Sequence, residues 1–250
     1  MSDRLVLTVA DLSKHFVLHN VDGRQVDALH SVDLTVRAGE HIALAGSSGA
    51  GKSSLLKCIN RTYLASSGAI ILHAEDGSST SLDTLSDREM ASLRGRDIGY
   101  VSQFLRSQPR RTPMEIVVRS AVLRGVNRKH ATEAAADALT RLRLDRALWD
   151  VHASVLSGGE RQRVNLAAGT VAPPKLLLLD EPVSALDPAN RSAALDLIAG
   201  LTSHGVAVLS VFHDLEAMER LATRVVVMSD GRVVGEGAPS EVLPELEVAR

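Results

Sequence analysis

The sequence predicts an α/β fold built on a parallel-rich β-sheet, and two observations carry that prediction. Short apolar runs suited to buried parallel strands recur at residues 41–45, 176–179 and 206–211. The first run leads into a glycine-rich loop and then into a helix start, and the second ends in two carboxylates. Open α/β sheets bind ligands at the carboxyl ends of their strands, so both features point to one edge of the sheet.

The outer parts of the chain are predicted to supply the strands. Residues 1–103 are expected to form strands around the glycine-rich loop, beginning with a strand at 5–10. In the C-terminal part strands and helices alternate again, with a strand at 224–228. Asp230-Gly231 then predicts a tight hairpin turn before the next short apolar pair.

The middle of the chain, about residues 104–156, is predicted to be helical. Thr112 is expected to cap one helix, with Pro113 in its first position and Glu115 closing a capping box. An apolar stripe at helical spacing predicts the core face of a second helix. Its residues are Ala131, Ala134, Ala135, Ala138 and Leu142.

Residues 46–53 read Gly-Ser-Ser-Gly-Ala-Gly-Lys-Ser, a complete G-x-x-x-x-G-K-[ST] phosphate loop. Its glycines let the backbone curl so that N–H groups point at phosphates, aided by the following helix N-terminus. Lys52 is expected to reach the β- and γ-phosphates, and the Ser53 hydroxyl to ligate Mg²⁺. An ordinary glycine-rich turn explains the glycines but not Lys and Ser together. The expected nucleotide contacts are Gly46, Ser47, Ser48, Gly49, Ala50, Gly51, Lys52, Ser53 and Ser54.

Two carboxylates, Asp180 and Glu181, follow the apolar run at 176–179. Asp180 is expected to hold Mg²⁺ through water, and Glu181 to accept a proton from the attacking water. Plain capping of a buried strand is the alternative for an isolated acidic pair. The phosphate loop elsewhere in the chain favours the functional interpretation.

A second glycine-rich motif occupies Ser157-Gly158-Gly159-Glu160. Ser157 and Glu160 form the pattern of a capping box at the start of a helix. Capping does not explain Gly158 and Gly159, whose missing side chains expose backbone donors to an anion. We therefore predict both a helix cap and a phosphate contact here.

Together these motifs resemble the ATP-binding cassette (ABC) ATPases over nearly the whole chain. The family pattern continues with Gln103 after Tyr100-Val101-Ser102, with Asp187 after Ser184-Ala185-Leu186, and with His213 before Asp214. The resemblance implies a P-loop NTPase of ABC type with N-terminal antiparallel strands and a helical signature subdomain. It implies a single domain over 1–250, with a catalytic core of about 1–103 and 157–250 and a helical subdomain of about 104–156.

The resemblance also implies a nucleotide sandwich of two subunits with ATP and Mg²⁺ as cofactors. Each nucleotide would lie between Lys52 of one chain and Ser157 and Gly159 of the other. The implied roles of four further residues complete the site: Gln103 senses Mg²⁺ and the attacking water, His213 contacts the γ-phosphate, Asp187 lines the dimer seam and Phe16 stacks on adenine. His213 and Phe16 are, taken alone, equally compatible with packed core residues.

Two positions depart from the family pattern, and one of them, Ser54 in place of the commoner threonine, is a mild change. The family usually has an arginine where this chain has Ala168, although Arg163 is present. We therefore expect ATP binding to be retained and the anchoring of the signature helix to be weaker. Because Ala168 is atypical, the chain could also be a nucleotide-gated assembly factor with little turnover. This is one of three possible functions, and the next two paragraphs give the other two.

The segment after Gln103 more specifically resembles the L-type ATP-binding protein of the carbon–phosphorus lyase system. That resemblance rests on residues 99–110, on Arg146-Ala147-Leu148-Trp149 and on the Val164-Asn165 pair. It implies a soluble role in phosphonate catabolism, associated with ribose 1-phosphonate 5-triphosphate synthesis, beside a lyase core complex and a K-type cassette ATPase. The second protomer would be another copy of this chain or that K-type relative.

Residues 82–96 support a different alternative, because they are similar to lipoprotein-release and macrolide-export ATPases. In that case the chain would be the cytoplasmic ATPase subunit of a membrane ABC transporter. The permease would be a separate chain, since no apolar run approaches the roughly 18 residues that a membrane helix needs.

Composition bounds these possibilities. With 250 residues and 45% hydrophobic content, the chain can bury one sizeable core. A formal net charge of −2 and 2% aromatic residues offer neither a basic surface nor a stacking platform, so we expect no nucleic-acid partner. The lone Cys58 cannot form an internal disulfide, and no leader pattern precedes the first strand, so the predicted location is cytoplasmic.

Overall fold

The computed structural model describes residues 3–18, 24–102 and 110–248. The strands are β1 (Leu5–Leu18), β2 (Arg24–Arg37), β3 (His41–Ala45), β4 (Ser67–His73), β5 (Ser79–Ser81), β6 (Ile98–Val101), β7 (Leu176–Asp180), β8 (Ala207–Val211), β9 (Arg224–Ser229) and β10 (Arg232–Gly237). The helices are α1 (Lys52–Ile59), α2 (Asp87–Arg96), α3 (Pro113–Leu123), α4 (Arg128–Arg141), α5 (Gly158–Thr170), α6 (Pro188–Ser203), α7 (Leu215–Leu221) and α8 (Pro239–Val248).

The strands form two sheets. A six-stranded sheet has the order β10-β9-β3-β8-β7-β6, in which every neighbouring pair is parallel except β10 and β9. A four-stranded antiparallel sheet has the order β2-β1-β4-β5. The predicted α/β class, the parallel-rich core and the antiparallel N-terminal strands are all confirmed.

Both faces of the six-stranded sheet are covered, which explains the continuous apolar runs in its strands. All five residues of β3 and all five of β7 are buried. Leu177 and Leu179 join one apolar cluster, whereas Leu176 and Leu178 join the other. Because successive side chains of a strand point to opposite faces, a strand buried on both sides is apolar at nearly every position, and the buried polar exceptions here are His41 at the start of β3 and Asp180 at the end of β7.

The predicted caps and turn are confirmed. Thr112 and Ser157 each form a complete capping box at the start of α3 and α5. The β9–β10 hairpin turns at Asp230 and Gly231, whose φ angles of 48° and 74° are those of a type I′ turn. In the predicted stripe on α4, Ala134 is half-buried and the other members are fully buried.

The topology brings three loops to one edge of the six-stranded sheet. The glycine-rich loop follows β3, Glu181 follows β7, and His213 lies shortly after β8. Since β3, β7 and β8 are neighbouring parallel strands, their carboxyl ends lie side by side. Within the ranges that the structure describes, no helix combines the length and apolar character needed to cross a membrane.

Candidate functional site

The glycine-rich loop is shaped by backbone positions that only glycine can occupy. Gly46 and Gly51 have φ angles of 132° and 99°. A Cβ atom on Gly46 would lie 2.1 Å from the Met228 carbonyl oxygen, and one on Gly51 would lie 2.6 Å from the Ala28 carbonyl oxygen. The loop can therefore curl tightly between β3 and α1, leaving backbone N–H groups and the α1 N-terminus to receive an anion.

Lys52 begins α1 and is only 6% exposed. Its Nζ donates hydrogen bonds of 2.7 Å to the carbonyl oxygens of Gly46 and Ser47. Burial lowers the pKa of Lys52, while the carboxylates of Glu181 and Asp180 act in the opposite direction. Neutral carbonyls are weaker acceptors for an ammonium group than phosphate oxygens, so a bound phosphate can replace them.

Ser53 and Asp180 form the part of the site that suits a metal ion. The Ser53 hydroxyl donates a 2.8 Å hydrogen bond to Asp180 Oδ1, and the Tyr100 hydroxyl donates one of 3.0 Å to Asp180 Oδ2. A hydroxyl and a carboxylate are oxygen ligands of the kind that Mg²⁺ prefers. The residues present therefore fit a magnesium ion beside the phosphate loop.

Glu181 follows β7 in an unusual backbone conformation, with a φ of 52°. Its Oε1 lies 2.6 Å from Nε2 of His213, which comes from the loop after β8. Its backbone N–H donates to the carbonyl of Val211, and its carbonyl accepts a 2.7 Å bond from the amide of Gln162. The arrangement fixes a carboxylate next to an imidazole at the edge of the phosphate site.

A cavity of about 180 Å³ brings most of these groups together. It is lined by Ala28, Ser48, Gly49, Ala50, Gly51, Lys52, Ser53, Ser54, Glu181, Val211 and His213. Gly46 and Ser47 line a neighbouring cavity of about 430 Å³, which also contacts Ser48 and His213. The structure thus places the predicted phosphate loop, the predicted base and the predicted γ-phosphate contact around two neighbouring cavities that share Ser48 and His213.

The second glycine-rich motif lies elsewhere on the same chain. Ser157, Gly158, Gly159 and Asp187 do not line either cavity, as far as the described residues go. A Cβ on Gly158 would meet no atom within 4 Å, whereas one on Gly159 would lie 3.0 Å from the carbonyl oxygen of Ala185. This helix start lies outside the two cavities, and its contact with a phosphate stays a prediction.

Asp187 caps α6 instead of contacting the cavity. Its carboxylate accepts hydrogen bonds from the backbone N–H groups of Ala189 and Asn190 and from the Asn190 side chain. These bonds, the one from the Asn190 side chain first, lower the pKa of Asp187. The capping role holds the segment 184–187 in place beside the start of α6.

Phe16 lies on β1 and packs edge-on against Tyr63, with ring centroids 5.0 Å apart. Lys14 Nζ lies 4.8 Å from the centroid of the Phe16 ring. Phe16 is half-buried and is not among the cavity-lining residues named above. The structure therefore gives this ring an aromatic neighbour, and its contact with adenine stays a prediction.

The position of Ala168 is anchored by a residue that the sequence did not single out. Arg124, at the end of α3, donates from Nη1 to the carbonyl oxygens of Ala168 and Gly169 at 3.0 and 3.1 Å. Burial lowers the pKa of Arg124 to about 10, which leaves the guanidinium charged at neutral pH. These carbonyls belong to the last turn of α5, where carbonyls have no partner within the helix, so Arg124 anchors the C-terminal end of α5. The weaker anchoring expected from Ala168 stays a prediction.

Two other sequence predictions have different outcomes. Gln103, predicted to sense Mg²⁺ and the attacking water, lies outside the described residues. Trp149, part of the resemblance to the lyase protein, is a packed aromatic: it is 6% exposed and its indole N–H donates to the Leu144 carbonyl. The Arg146 guanidinium lies 4.4 Å from the centroid of the indole ring.

Sequence reasoning also missed two residues that contact the site. Tyr100 binds Asp180, and Gln162 binds the Glu181 backbone. The signal available for Tyr100 was its polar hydroxyl, near the carboxyl end of a strand that is otherwise buried. Gln162 offered no signal, because nothing local shows which strand end a helix residue will contact.

A glycine-rich loop, a lysine, a serine and two carboxylates at adjoining parallel strand ends define a P-loop nucleotide-binding protein. Residues 29–184 match the family model described as ABC transporter. This match covers more than half of the chain, which therefore belongs to the ABC transporter ATPase family. The chain is an ATP hydrolase that uses ATP with Mg²⁺.

Three relatives illustrate this membership. The chain is 36% identical over 209 residues to the uncharacterized ABC transporter ATP-binding protein YknY of Bacillus subtilis (strain 168), covering 83% of this chain and 87% of YknY. It is 31% identical over 242 residues to the glutamate/glutamine/aspartate/asparagine transport ATP-binding protein BztD of Rhodobacter capsulatus, covering 96% and 86%. It is 33% identical over 248 residues to the methionine import ATP-binding protein MetN of Haemophilus influenzae, covering 98% and 69%.

A solved structure shows the same architecture. The dimeric structure of MJ0796, a bacterial ABC transporter cassette, superimposes with a TM-score of 0.82 at 25% identity. The match covers 93% of this chain and 98% of that cassette. The fold of this chain is therefore that of an ABC ATPase cassette.

Proposed function

We propose that this chain is the ATP-hydrolysing subunit of an ABC transporter, acting at the cytoplasmic face of a membrane beside a separate permease. The observation that carries the proposal is the cluster of Lys52, Ser53, Asp180, Glu181 and His213 at one edge of the sheet. The names of BztD and MetN, both transport ATP-binding proteins, support the transporter part. An amino acid importer is accordingly the type of transporter that we propose.

Binding of the nucleotide phosphates is assigned to the loop and Lys52. The buried ammonium already points at the carbonyls of Gly46 and Ser47, where phosphate oxygens can take their place. Ser53 and Asp180 would hold Mg²⁺, which neutralises charge on the β- and γ-phosphates when bound. Tyr100 orients the Asp180 carboxylate, and Gln103 is proposed as a further contact to the metal and the attacking water.

Proton removal from the attacking water is assigned to Glu181. His213, 2.6 Å away, holds this carboxylate and stays close to the position proposed for the γ-phosphate. A general base at this position contributes about 10²- to 10⁴-fold to the rate. Phe16 is proposed to stack on adenine, oriented by its contact with Tyr63.

Two subunits are proposed to share each nucleotide. Ser157, Gly158 and Gly159 have accessible backbone but lie apart from the cavity at Lys52 in their own chain. In a head-to-tail pair they would close over the γ-phosphate bound by the partner, with Asp187 at the seam. The helical part of the chain, about 104–156, is the surface that we propose to contact the permease.

The two other functions have less support. The relatives reported above carry no carbon–phosphorus lyase name, and Trp149, part of the stretch that resembles the lyase protein, is packed in the core. The lyase role with its core complex and K-type partner therefore rests on sequence resemblance alone. The assembly factor with little turnover was motivated by Ala168, whose helix Arg124 now anchors.

Affinity purification of the tagged chain from its own host tests the proposal. Glu181→Gln with Mg-ATP should hold complexes in the closed state, while Lys52→Ala is the matched variant that should not bind nucleotide. We expect an integral-membrane permease in the membrane fraction, retained more strongly by Glu181→Gln. Lyase subunits in the soluble fraction of cells grown on a phosphonate, without a permease, would overturn the transporter assignment.

A further inference from the structure

Gln162 is a buried amide on α5, which begins at Gly158 and is called here the signature helix. The residue is 2% exposed. Its Nε2 donates a 2.7 Å hydrogen bond to the carbonyl oxygen of Glu181. Its Oε1 has no hydrogen-bond partner in the part of the chain that the structure describes. An unmet acceptor in the interior is unfavourable, so the hydrogen bond from Nε2 is the favourable polar contact that the structure shows for this buried side chain.

The carbonyl that Gln162 binds belongs to a strained backbone position. Glu181 has a φ of 52°, in the left-handed region that a residue with a large side chain rarely adopts. The same carbonyl also accepts bonds from the Ser184 hydroxyl at 3.1 Å and from the Ser184 N–H at 3.4 Å. The Glu181 N–H donates to Val211 on the neighbouring strand. Such a conformation persists only where its surroundings hold it on several sides.

The direction of the Glu181 side chain depends on this backbone conformation. With φ at 52°, the carboxylate reaches Nε2 of His213 at 2.6 Å and lines the cavity at the phosphate loop. Return to an ordinary φ would rotate the Cα–Cβ bond away from that position. Ser184 belongs to the loop after β7, whereas Gln162 reaches the carbonyl from a different element, α5.

We propose that Gln162 is a positioning residue that holds the Glu181 backbone so that its carboxylate points at the attacking water. The position of the Glu181 carboxylate thereby depends on the position of the signature helix. The first residues of that helix are proposed to contact the nucleotide bound by the partner. This inference rests on the role proposed for Glu181. A misplacement of about 1 Å is enough to lower a rate by about 10²-fold. We therefore expect loss of the Gln162 hydrogen bond to lower kcat.

Gln162→Met tests the inference, because methionine matches glutamine in length and lacks the donor. It also removes the acceptor that has no partner, so we expect little change in thermal stability. We expect kcat for ATP hydrolysis to fall by about 10- to 100-fold, while KM and the Kd for Mg-ADP stay within about twofold. Thr170→Val is the matched control: it removes a buried hydroxyl that bonds Leu166 in the same helix and should keep wild-type kcat.

Two further variants distinguish a role of Gln162 in positioning Glu181 from a role in stabilising the fold. Ser184→Ala removes a second side-chain donor to the same carbonyl at an exposed position, and should lower kcat by a smaller factor. In the Glu181→Gln background, Gln162→Met should cause no further loss, since no carboxylate remains to be positioned. Equal losses for Gln162→Met and Thr170→Val, or a full additional loss in the double variant, would reduce Gln162 to a structural role.

The failure of this inference is distinguishable from failure of the proposed function. If Glu181→Gln itself kept the wild-type rate, the proposed base would be wrong and Gln162 would have nothing to position. If Glu181→Gln were slow and Gln162→Met as fast as wild type, only the positioning role would be lost.

Discussion

His41 makes the stability of this protein sensitive to acid. It lies on β3, the strand that carries the phosphate loop, and is completely buried. Its Nε2 is 2.8 Å from the Ser210 hydroxyl on β8. Burial lowers the pKa of His41 from 6.5 to about 3, because the interior does not solvate an imidazolium ion.

The sign and size of the effect follow from this pKa. Above pH 6.5 the ring is neutral in both the folded and the unfolded chain, so its ionisation does not affect stability. Below pH 6.5 the unfolded chain takes up a proton that the folded chain takes up only near pH 3, so stability is lost as pH falls. At 1.36 kcal/mol per pH unit, the loss is about 3 kcal/mol at about pH 4.5 and about 5 kcal/mol near pH 3.

Urea unfolding at pH 7 and at about pH 4.5 measures the loss. His41→Gln keeps a polar group near Ser210 and cannot be protonated. Between pH 7 and about pH 4.5 its free energy of unfolding should therefore fall by about 3 kcal/mol less than that of wild type. His130→Gln, at an exposed position on α4, is the control for replacing a histidine as such. If wild type and His41→Gln lost the same free energy between the two pH values, the account of a neutral buried imidazole would be refuted.

Three further predictions concern the phosphate site. Lys52→Ala should abolish ATP binding measured by calorimetry, because the phosphate oxygens lose their main cation; unchanged affinity would remove Lys52 from that role. Tyr100→Phe deletes the hydroxyl that binds Asp180, so the Mg²⁺ concentration for half-maximal hydrolysis should rise about tenfold or more, and an unchanged value would count against the metal site. Gly46→Ala should weaken both folding and nucleotide binding, since its Cβ would collide with Met228; normal melting and binding would contradict the loop geometry.

Much of the fold was predictable because its signals are local. The buried strands β3 and β7, the caps at Thr112 and Ser157, and the Asp230-Gly231 turn each depend on a few adjacent residues. Strand β1 was predicted too short, as 5–10 instead of Leu5–Leu18. Its pairing with β2 shifts register near Asp11, where φ is 49°, and that bulge breaks the alternation on which a strand prediction relies.

The candidate site was predictable only where a motif is continuous in sequence. The phosphate loop and the Asp180-Glu181 pair could be identified because their spacing is fixed by the chemistry of phosphate binding. Three other contacts could not be predicted, because each joins residues that are far apart in sequence. They are made by Tyr100, Gln162 and Arg124. Trp149 was used in the sequence analysis only as part of the stretch that resembles the lyase protein, and its environment is that of the core.

We propose that two copies of this chain close around Mg-ATP and that Glu181 takes the proton from the attacking water. Size-exclusion chromatography with light scattering, applied to Glu181→Gln with and without Mg-ATP, tests it most directly. We expect the variant to have the 26.6 kDa mass of one chain without nucleotide and about twice that mass with Mg-ATP, because binding is retained and hydrolysis is not. A variant that stays monomeric with saturating Mg-ATP, or that hydrolyses ATP as fast as wild type, would contradict the account.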